Sequence, residues 1–110
     1  MKNLLLTKFY KGYFDTNFKD GHYKVMIGGK HVLTKEIENG AGKNLCGSFI
    51  VPFMNFVVLP NVLTKTIDLC YEYFTDHIRK VDDGYYVGYL ERKGKIYFWF
   101  EMIKEEYENE

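Results

Sequence analysis

The chain has 110 residues, the size of one ordinary domain, and its 46% hydrophobic and 27% charged residues are typical of a globular protein rather than a disordered one. Its 15 basic and 15 acidic residues cancel, which excludes an acidic tail protein and a nucleic-acid binder that works by neutralising phosphates. Aromatic residues make up 18% of the chain, and such side chains bury large areas in a core or around a ligand.

The N-terminal region and the cysteines predict a reducing, cytoplasmic location. Leu4, Leu5 and Leu6 are too few for the apolar region of a secretion signal. No stretch approaches the roughly 20 apolar residues of a membrane-spanning helix, so we expect no membrane span. Cys46 and Cys70 lack the spacing of a metal-binding pair, and we expect both to be free thiols in the core.

Glycine-containing turns divide the first part of the chain into predicted strands. Residues 6–14 have the composition of a first strand. Residues 22–27 and 31–37 have the length and composition of two paired strands, and the glycines between them at 28–29 predict a hairpin turn.

The middle of the chain supports two interpretations. A flexible loop at 39–44 precedes two apolar runs, 45–51 and 53–59, which are separated by a proline. In residues 61–74 apolar side chains recur every three or four positions, as they do on one face of a helix. The same stretch is rich in threonine and tyrosine, which favour strands. A helix here gives an α+β sheet, and a strand gives an all-β barrel.

The last third of the chain predicts two long paired strands, 85–91 and 95–103. Each follows a turn signal that ends in glycine. The second strand is apolar on both faces over most of its length, which is typical of a strand covered on both sides. Gly88 leaves a space in the first strand, which either a neighbouring aromatic such as Trp99 fills or a ligand occupies.

No short motif identifies an enzyme or a cofactor site. The glycine-rich phosphate loops, the serine-hydrolase motif and the zinc-protease motif are all absent, so we expect no cofactor. His22 and His31 lie in the predicted hairpin, but two imidazoles are fewer than the three or four ligands that zinc requires. We therefore expect no metal.

The densest polar cluster in an otherwise apolar region is Asp76-His77-Ile78-Arg79. On a strand, Asp76 and Ile78 share one face, and His77 and Arg79 share the other. Because a buried charge requires a partner, Asp76 and Arg79 are expected to lie at the surface, to form a structural pair or to anchor a polar ligand group.

Residues 76–88, with the Gly94-Lys95 turn and the aromatic strand after it, resemble the closing segment of lipocalin-like bacterial proteins of unassigned function. In those proteins an Asp-Glu-Ile-Arg sequence precedes a short turn ending in glycine, followed by an aromatic residue and another glycine. Here His77 replaces the acidic residue, and no tryptophan precedes Gly29 as it does in a second element of that group. The resemblance implies an antiparallel, barrel-like sheet that can hold a small hydrophobic ligand, and it implies no catalytic residues.

Together these features predict one domain over residues 1–110, an antiparallel β-rich meander curled into a small barrel or half-barrel. At most one helix is expected, near 61–74. The predicted function is non-catalytic binding of a small hydrophobic or amphipathic ligand. The predicted ligand-facing residues are five aromatic side chains and two polar anchors: Tyr73, Tyr85, Tyr86, Trp99 and Phe100, with Asp76 and Arg79.

Two other functions fit the same residues. A protein-interaction module, such as an inhibitor or adaptor (for example a phage-encoded anti-defence protein), suits a compact, neutral, aromatic-rich chain, because tyrosine and tryptophan are enriched at interface hot spots. It would form a homodimer or bind a protein partner. The other alternative is a small enzyme that uses Asp76 and His77 as acid and base.

Overall fold

The computed structural model describes residues 2–105. Within them the elements are α1 (Lys2–Lys11), β1 (Gly21–Ile27), β2 (Lys30–Glu38), β3 (Ala41–Cys46), β4 (Phe49–Ile50), β5 (Phe56–Asn61), β6 (Thr66–Cys70), β7 (Thr75–Asp82), β8 (Tyr85–Arg92) and β9 (Lys95–Lys104). No helix among these residues has the length and apolar character needed to cross a bilayer.

The strands form a closed antiparallel barrel, which confirms the predicted β-rich fold class. The sheet order is β2-β1-β9-β8-β7-β6-β5-β3-β4, and β2 also pairs with β3. The β2–β3 pairing joins the two ends of the sheet, so eight strands close the barrel and the short β4 extends from β3. Closure leaves each of those eight strands with a neighbour on both sides.

Alternate residues of each strand point into the barrel and form its core. Most core side chains are aromatic or branched aliphatic: Tyr23, Val25, Ile37, Phe56, Ile67, Leu69, Ile78, Tyr86, Phe100 and Met102. Gly88 faces inward opposite Phe100, and a Cβ atom there would lie 2.6 Å from Cγ2 of Ile78. The space that the sequence leaves at Gly88 is therefore filled by β7, and the expectation that Trp99 or a ligand fills it was wrong.

Two predicted hairpins are confirmed, and the predicted loop between them is partly a strand. β1 pairs with β2, and β8 pairs with β9, in the antiparallel sense. Residues 39–44, which we expected to be a flexible loop, include the first part of β3. The turn is confined to Asn39 and Gly40, both with positive φ, and β3 then pairs with β2 to close the barrel.

The prediction of a first strand at 6–14 was wrong, because this region contains the end of α1. Leucine and lysine make up six of the ten residues of α1, and both have good helix propensity. The helix lies outside the barrel against β7, β8 and β9. Its buried Phe9 packs edge-on against Tyr89 and Trp99, with ring centroids 5.3 and 5.6 Å away.

Of the two interpretations of residues 61–74, the strand is confirmed and the helix was wrong, because β5 ends in this stretch and β6 and turns occupy the rest of it. In β6, Ile67 and Leu69 face the core, whereas Thr66 and Asp68 form side-chain hydrogen bonds on the outer wall. The strand propensity of threonine and isoleucine outweighed the helix-like spacing, since tertiary pairing with β5 and β7 was available.

The segment between α1 and β1 closes one end of the barrel. Asp15 accepts a 2.5 Å hydrogen bond from the hydroxyl of Tyr86, and Phe18 stacks on Tyr23 with ring centroids 5.3 Å apart. The opposite end carries the β1–β2, β6–β7 and β8–β9 turns and residues 47–55. Since one end is closed by this segment, a ligand would enter the barrel from the other.

Candidate functional site

A cavity of about 70 Å³ lies inside the barrel at the end that the α1–β1 segment does not cover. Its walls are mainly apolar and its base is polar. The main lining residues are Val25, Leu33, Leu90, Phe98 and Phe100 on the walls, and Lys35, Asn44, Tyr71 and Asp76 at the base. An apolar cavity with a few convergent polar groups is the usual form of a small-molecule site.

The four polar residues form one network, which we call the interior polar cluster (Lys35, Asn44, Tyr71 and Asp76). The Lys35 ammonium donates to Oδ1 of Asn44 at 2.9 Å and to the hydroxyl of Tyr71 at 2.5 Å. It also lies 3.3 Å from Oδ2 of Asp76. The Asn44 amide donates to the Tyr71 hydroxyl at 2.9 Å and to the Met54 carbonyl at 2.8 Å. Strand register brings these groups together, because Lys35 is paired directly with Asn44.

Burial acts on every ionisable group of the interior polar cluster. It lowers the pKa of Lys35 and raises the pKa of Asp76, while the attraction between the two charges opposes both changes. Burial also raises the pKa of Tyr71 well above its usual range, so its hydroxyl stays neutral. Each charge of the Lys35–Asp76 pair therefore depends on the other for its stability in the barrel.

One oxygen of the cluster is left without a donor. Asp76 is only 3% exposed, and its Oδ1 atom has no hydrogen-bond partner among the described residues. Asp76 is also one of the residues that line the cavity. A buried acceptor without a donor is uncommon, and it calls for a physical explanation.

Of the predicted ligand-facing residues, Asp76 and Phe100 line this cavity. Tyr86 also faces the interior, but it lies near the closed end, where it donates to Asp15. Asp76 pairs with Lys35, and not with Arg79 as considered from the sequence. The reason is that Asp76 and Arg79 lie on opposite faces of β7.

The other predicted residues do not line the cavity. Trp99 packs with Phe9 on the outer wall. Arg79 is also outside, where its guanidinium donates to the Phe9 carbonyl at 3.1 Å. Tyr85 bonds to side chains of α1 and β9, and Tyr73 is exposed in the β6–β7 turn. The aromatic excess thus serves the outer wall of the barrel as well as its core.

Sequence reasoning missed Lys35, Asn44 and Tyr71 as members of the site. A signal was present in β2, where Lys35 shares a face with the apolar Leu33 and Ile37. A lysine in the middle of the apolar face of a strand requires a buried partner. The identity of that partner depends on β7, which is distant in the sequence, so the strand pattern alone does not reveal it.

A second polar network lies on the outer wall and is named here the outer histidine network (Asp68, His77 and Glu91). Nδ1 of His77 is 2.8 Å from Asp68, and its Nε2 is 2.9 Å from Glu91. Burial opposes a charge on His77, but its hydrogen bonds to the two carboxylates outweigh burial and raise its pKa. His77 points outward and Asp76 inward, so the two residues of the alternative acid–base pair lie on opposite faces of β7.

The remaining histidines and the cysteines do not form a site. His22 lies 3.2 Å from Glu36, and His31 bonds to Thr34. Among residues 2–105, no group of three histidine, cysteine, aspartate or glutamate side chains converges where a metal ion would bind. Both cysteines are free, but Cys46 is exposed, so the expectation that both lie in the core was wrong. β3 ends at Cys46, where the chain leaves the sheet.

Comparison with known proteins gives no relative from which a function for the interior cavity could be inferred. The cavity combines apolar walls with a buried ion pair, inside a closed antiparallel barrel of eight strands. No protein-family model, curated protein or solved structure matches the chain.

Proposed function

We propose that the barrel binds a small hydrophobic or amphipathic molecule without changing it chemically. The observation that carries this proposal is the interior cavity, with apolar walls and the interior polar cluster at its base. The apolar walls favour a hydrocarbon body, and the polar base favours one polar group at its end. The resemblance of residues 76–88 to lipocalin-like proteins is consistent with the same function.

The size of the cavity limits which part of the ligand it holds. Sites for drug-sized ligands have volumes of about 300–1,000 Å³. At about 70 Å³, the interior cavity is well below this range. The proposed ligand therefore inserts one short end, and the rest extends past Val32 and Phe98, which are 43% and 39% exposed at the opening.

Filling the opening should weaken ligand binding. In Leu33→Trp the larger indole occupies space beside the cavity wall, so we expect affinity to fall at least roughly tenfold, as when a ligand loses its apolar contacts. The measurement is a nuclear magnetic resonance titration with six-carbon alcohols, ethers, acids and amines, observing the methyl groups of Val25 and Leu90. The matched control is Leu4→Trp on the exposed side of α1, which should bind as the wild type does. Failure of every compound to bind saturably would contradict the proposal.

A second candidate function, an interaction module that forms a homodimer, is favoured by an uncharged surface. No aspartate, glutamate, lysine or arginine occurs between Lys43 and Lys65. Several large apolar side chains of this stretch are exposed, and we call them the uncharged surface: Phe49, Ile50, Phe53, Val57, Leu59, Val62 and Leu63. These residues lie in β5 and in the segments before and after it, and exposed apolar residues in such numbers often mark interaction sites. A second copy of the chain fits this surface because two uncharged faces do not repel each other.

Light scattering after size-exclusion chromatography tests the homodimer. The wild type is expected at twice the monomer mass, and Phe49→Asn/Phe53→Asn at the monomer mass. Phe53 is fully exposed with a φ of 64°, a conformation that asparagine adopts readily, so this change should not unfold the barrel. A matched pair, Leu4→Asn/Tyr10→Asn on α1, should remain dimeric. A monomeric wild type at high protein concentration would exclude this candidate.

A further inference from the structure

We propose that the group entering the cavity is a neutral hydrogen-bond donor, such as a hydroxyl group, and that it donates to Oδ1 of Asp76. The inference rests on the proposed function, because it assigns the chemistry of the ligand end that reaches the interior polar cluster. It begins from the acceptor that the barrel buries without a donor. A ligand that supplied the donor would remove the cost of that unpaired oxygen.

The nitrogen donors of the cluster are already used. An ammonium group has three N–H donors, and Lys35 directs them towards three oxygens of its neighbours. An amide has two, and Asn44 uses both. A carboxylate or phosphate entering the cavity would therefore find no free N–H group on Lys35 or Asn44, and it would approach the negative charge of Asp76. This argues against an anionic ligand end.

A cationic end is disfavoured for a different reason. Asp76 already has its positive partner, because the Lys35 ammonium lies 3.3 Å from Oδ2. A ligand ammonium bound to Oδ1 of the same carboxylate would lie close to Lys35 in a site from which water is largely excluded. Repulsion between like charges is strong in such surroundings. Among common polar ends, the neutral donor alone satisfies Oδ1 without adding a charge.

Four six-carbon probes test this chemistry on the wild-type protein: 1-hexanol, methyl pentyl ether, hexanoate and hexylammonium. The alcohol and the ether are isomers, so they differ in the donor and hardly in size. We expect 1-hexanol to bind roughly tenfold more tightly than the ether, because only the alcohol satisfies the buried acceptor. Hexanoate and hexylammonium should both bind more weakly than 1-hexanol.

The outcomes separate this inference from the proposed function. Equal affinities for the alcohol and the ether, or tightest binding by either charged probe, would overturn the inference and leave the cavity as a binding site. Absence of saturable binding by all four probes would overturn the proposed function itself. Because this series uses the native chain, it decides the inference even where a variant does not fold.

Asp76→Asn should remove the preference for the alcohol over the ether, which a merely structural role would not do. Lys35 donates to the oxygen of the new amide, so its NH₂ group takes the place of Oδ1 and offers a donor to the cavity. The ratio of ether to alcohol affinity should then rise roughly tenfold. The matched control is Asp68→Asn on the outer wall, where the ratio should stay unchanged. An unchanged ratio in folded Asp76→Asn would count against the inference.

Discussion

Lys35→Met lowers the free energy of unfolding by about 3–5 kcal/mol, the largest stability effect we expect from a single change in this barrel. The substitution leaves the Asp76 carboxylate without its positive partner in a site where it is 3% exposed. It also removes the donor to Oδ1 of Asn44. Urea unfolding followed by circular dichroism measures the difference.

The matched control is Lys43→Met, which removes a lysine from an exposed ion pair. Lys43 lies 3.4 Å from Glu36, and its side chain is 42% exposed. Such pairs contribute about 0–1 kcal/mol, because water screens both charges. Similar losses in the two variants would show that the interior pair is not the special element of this fold.

The double variant Lys35→Met/Asp76→Leu separates stability from function. Replacing both members of a buried ion pair by apolar residues is often neutral or stabilising. We therefore expect the double variant to recover most of the stability lost in Lys35→Met. We also expect it to lose the preference for 1-hexanol over its ether isomer. If stability recovers and the preference for 1-hexanol is lost, the Lys35–Asp76 pair serves ligand recognition and not folding.

Local chemistry made two hairpins and the strand-rich class predictable from the sequence. Gly28 and Gly29 have positive φ values of 60° and 80°, and glycine adopts these angles without strain. Such turns depend on a few neighbouring residues, so the sequence reveals them. Closure of the barrel depends instead on the pairing of β1 with β9, which joins segments far apart in the chain.

The two wrong predictions of elements had a common physical cause. In residues 6–14 and 61–74, local patterning was compatible with both helix and strand. The choice was made by what each segment packs against. α1 packs Phe9 against Tyr89 on the outer face of the sheet, whereas β6 is hydrogen-bonded between β5 and β7. Neither partner is visible from the composition of the segment itself.

The candidate site shows the same division between local and distant information. Asp76 and Phe100 were both predicted to face a ligand, and both line the cavity. Alternation along the strand placed Trp99 on the opposite face from Phe100, but it did not show which of these faces is the interior. Lys35 was missed because its partner Asp76 lies on another strand, distant in sequence, and only the closed barrel brings the two together.

The free energy of unfolding should fall as pH rises above the ordinary pKa of histidine, 6.5, because of the outer histidine network. The pKa of His77 is raised in the folded protein, so its contribution is complete below 6.5 and is lost as pH rises through the raised value. The pKa values of Asp68 and Glu91 are lowered. Their contributions are complete above the ordinary values of 3.8 and 4.5, and are lost on acidification. Stability from this network is therefore greatest between 4.5 and 6.5.

His77→Leu should remove the decline above 6.5 and lower the free energy of unfolding within that window by about 1.5–3 kcal/mol, the usual value of a hydrogen bond to a charged group. Asp68 retains hydrogen bonds from Thr66 and Asn61, which limits the loss. Urea unfolding at a series of pH values compares the variant with the wild type. His31→Leu, at an exposed histidine outside the network, should leave the profile unchanged. If His77→Leu kept the wild-type decline above 6.5, another titrating group would have to cause it.

Because His77 points away from the cavity, the variant should still distinguish 1-hexanol from its ether isomer. The pH dependence of stability, which comes from the outer histidine network, would then be independent of ligand recognition inside the barrel.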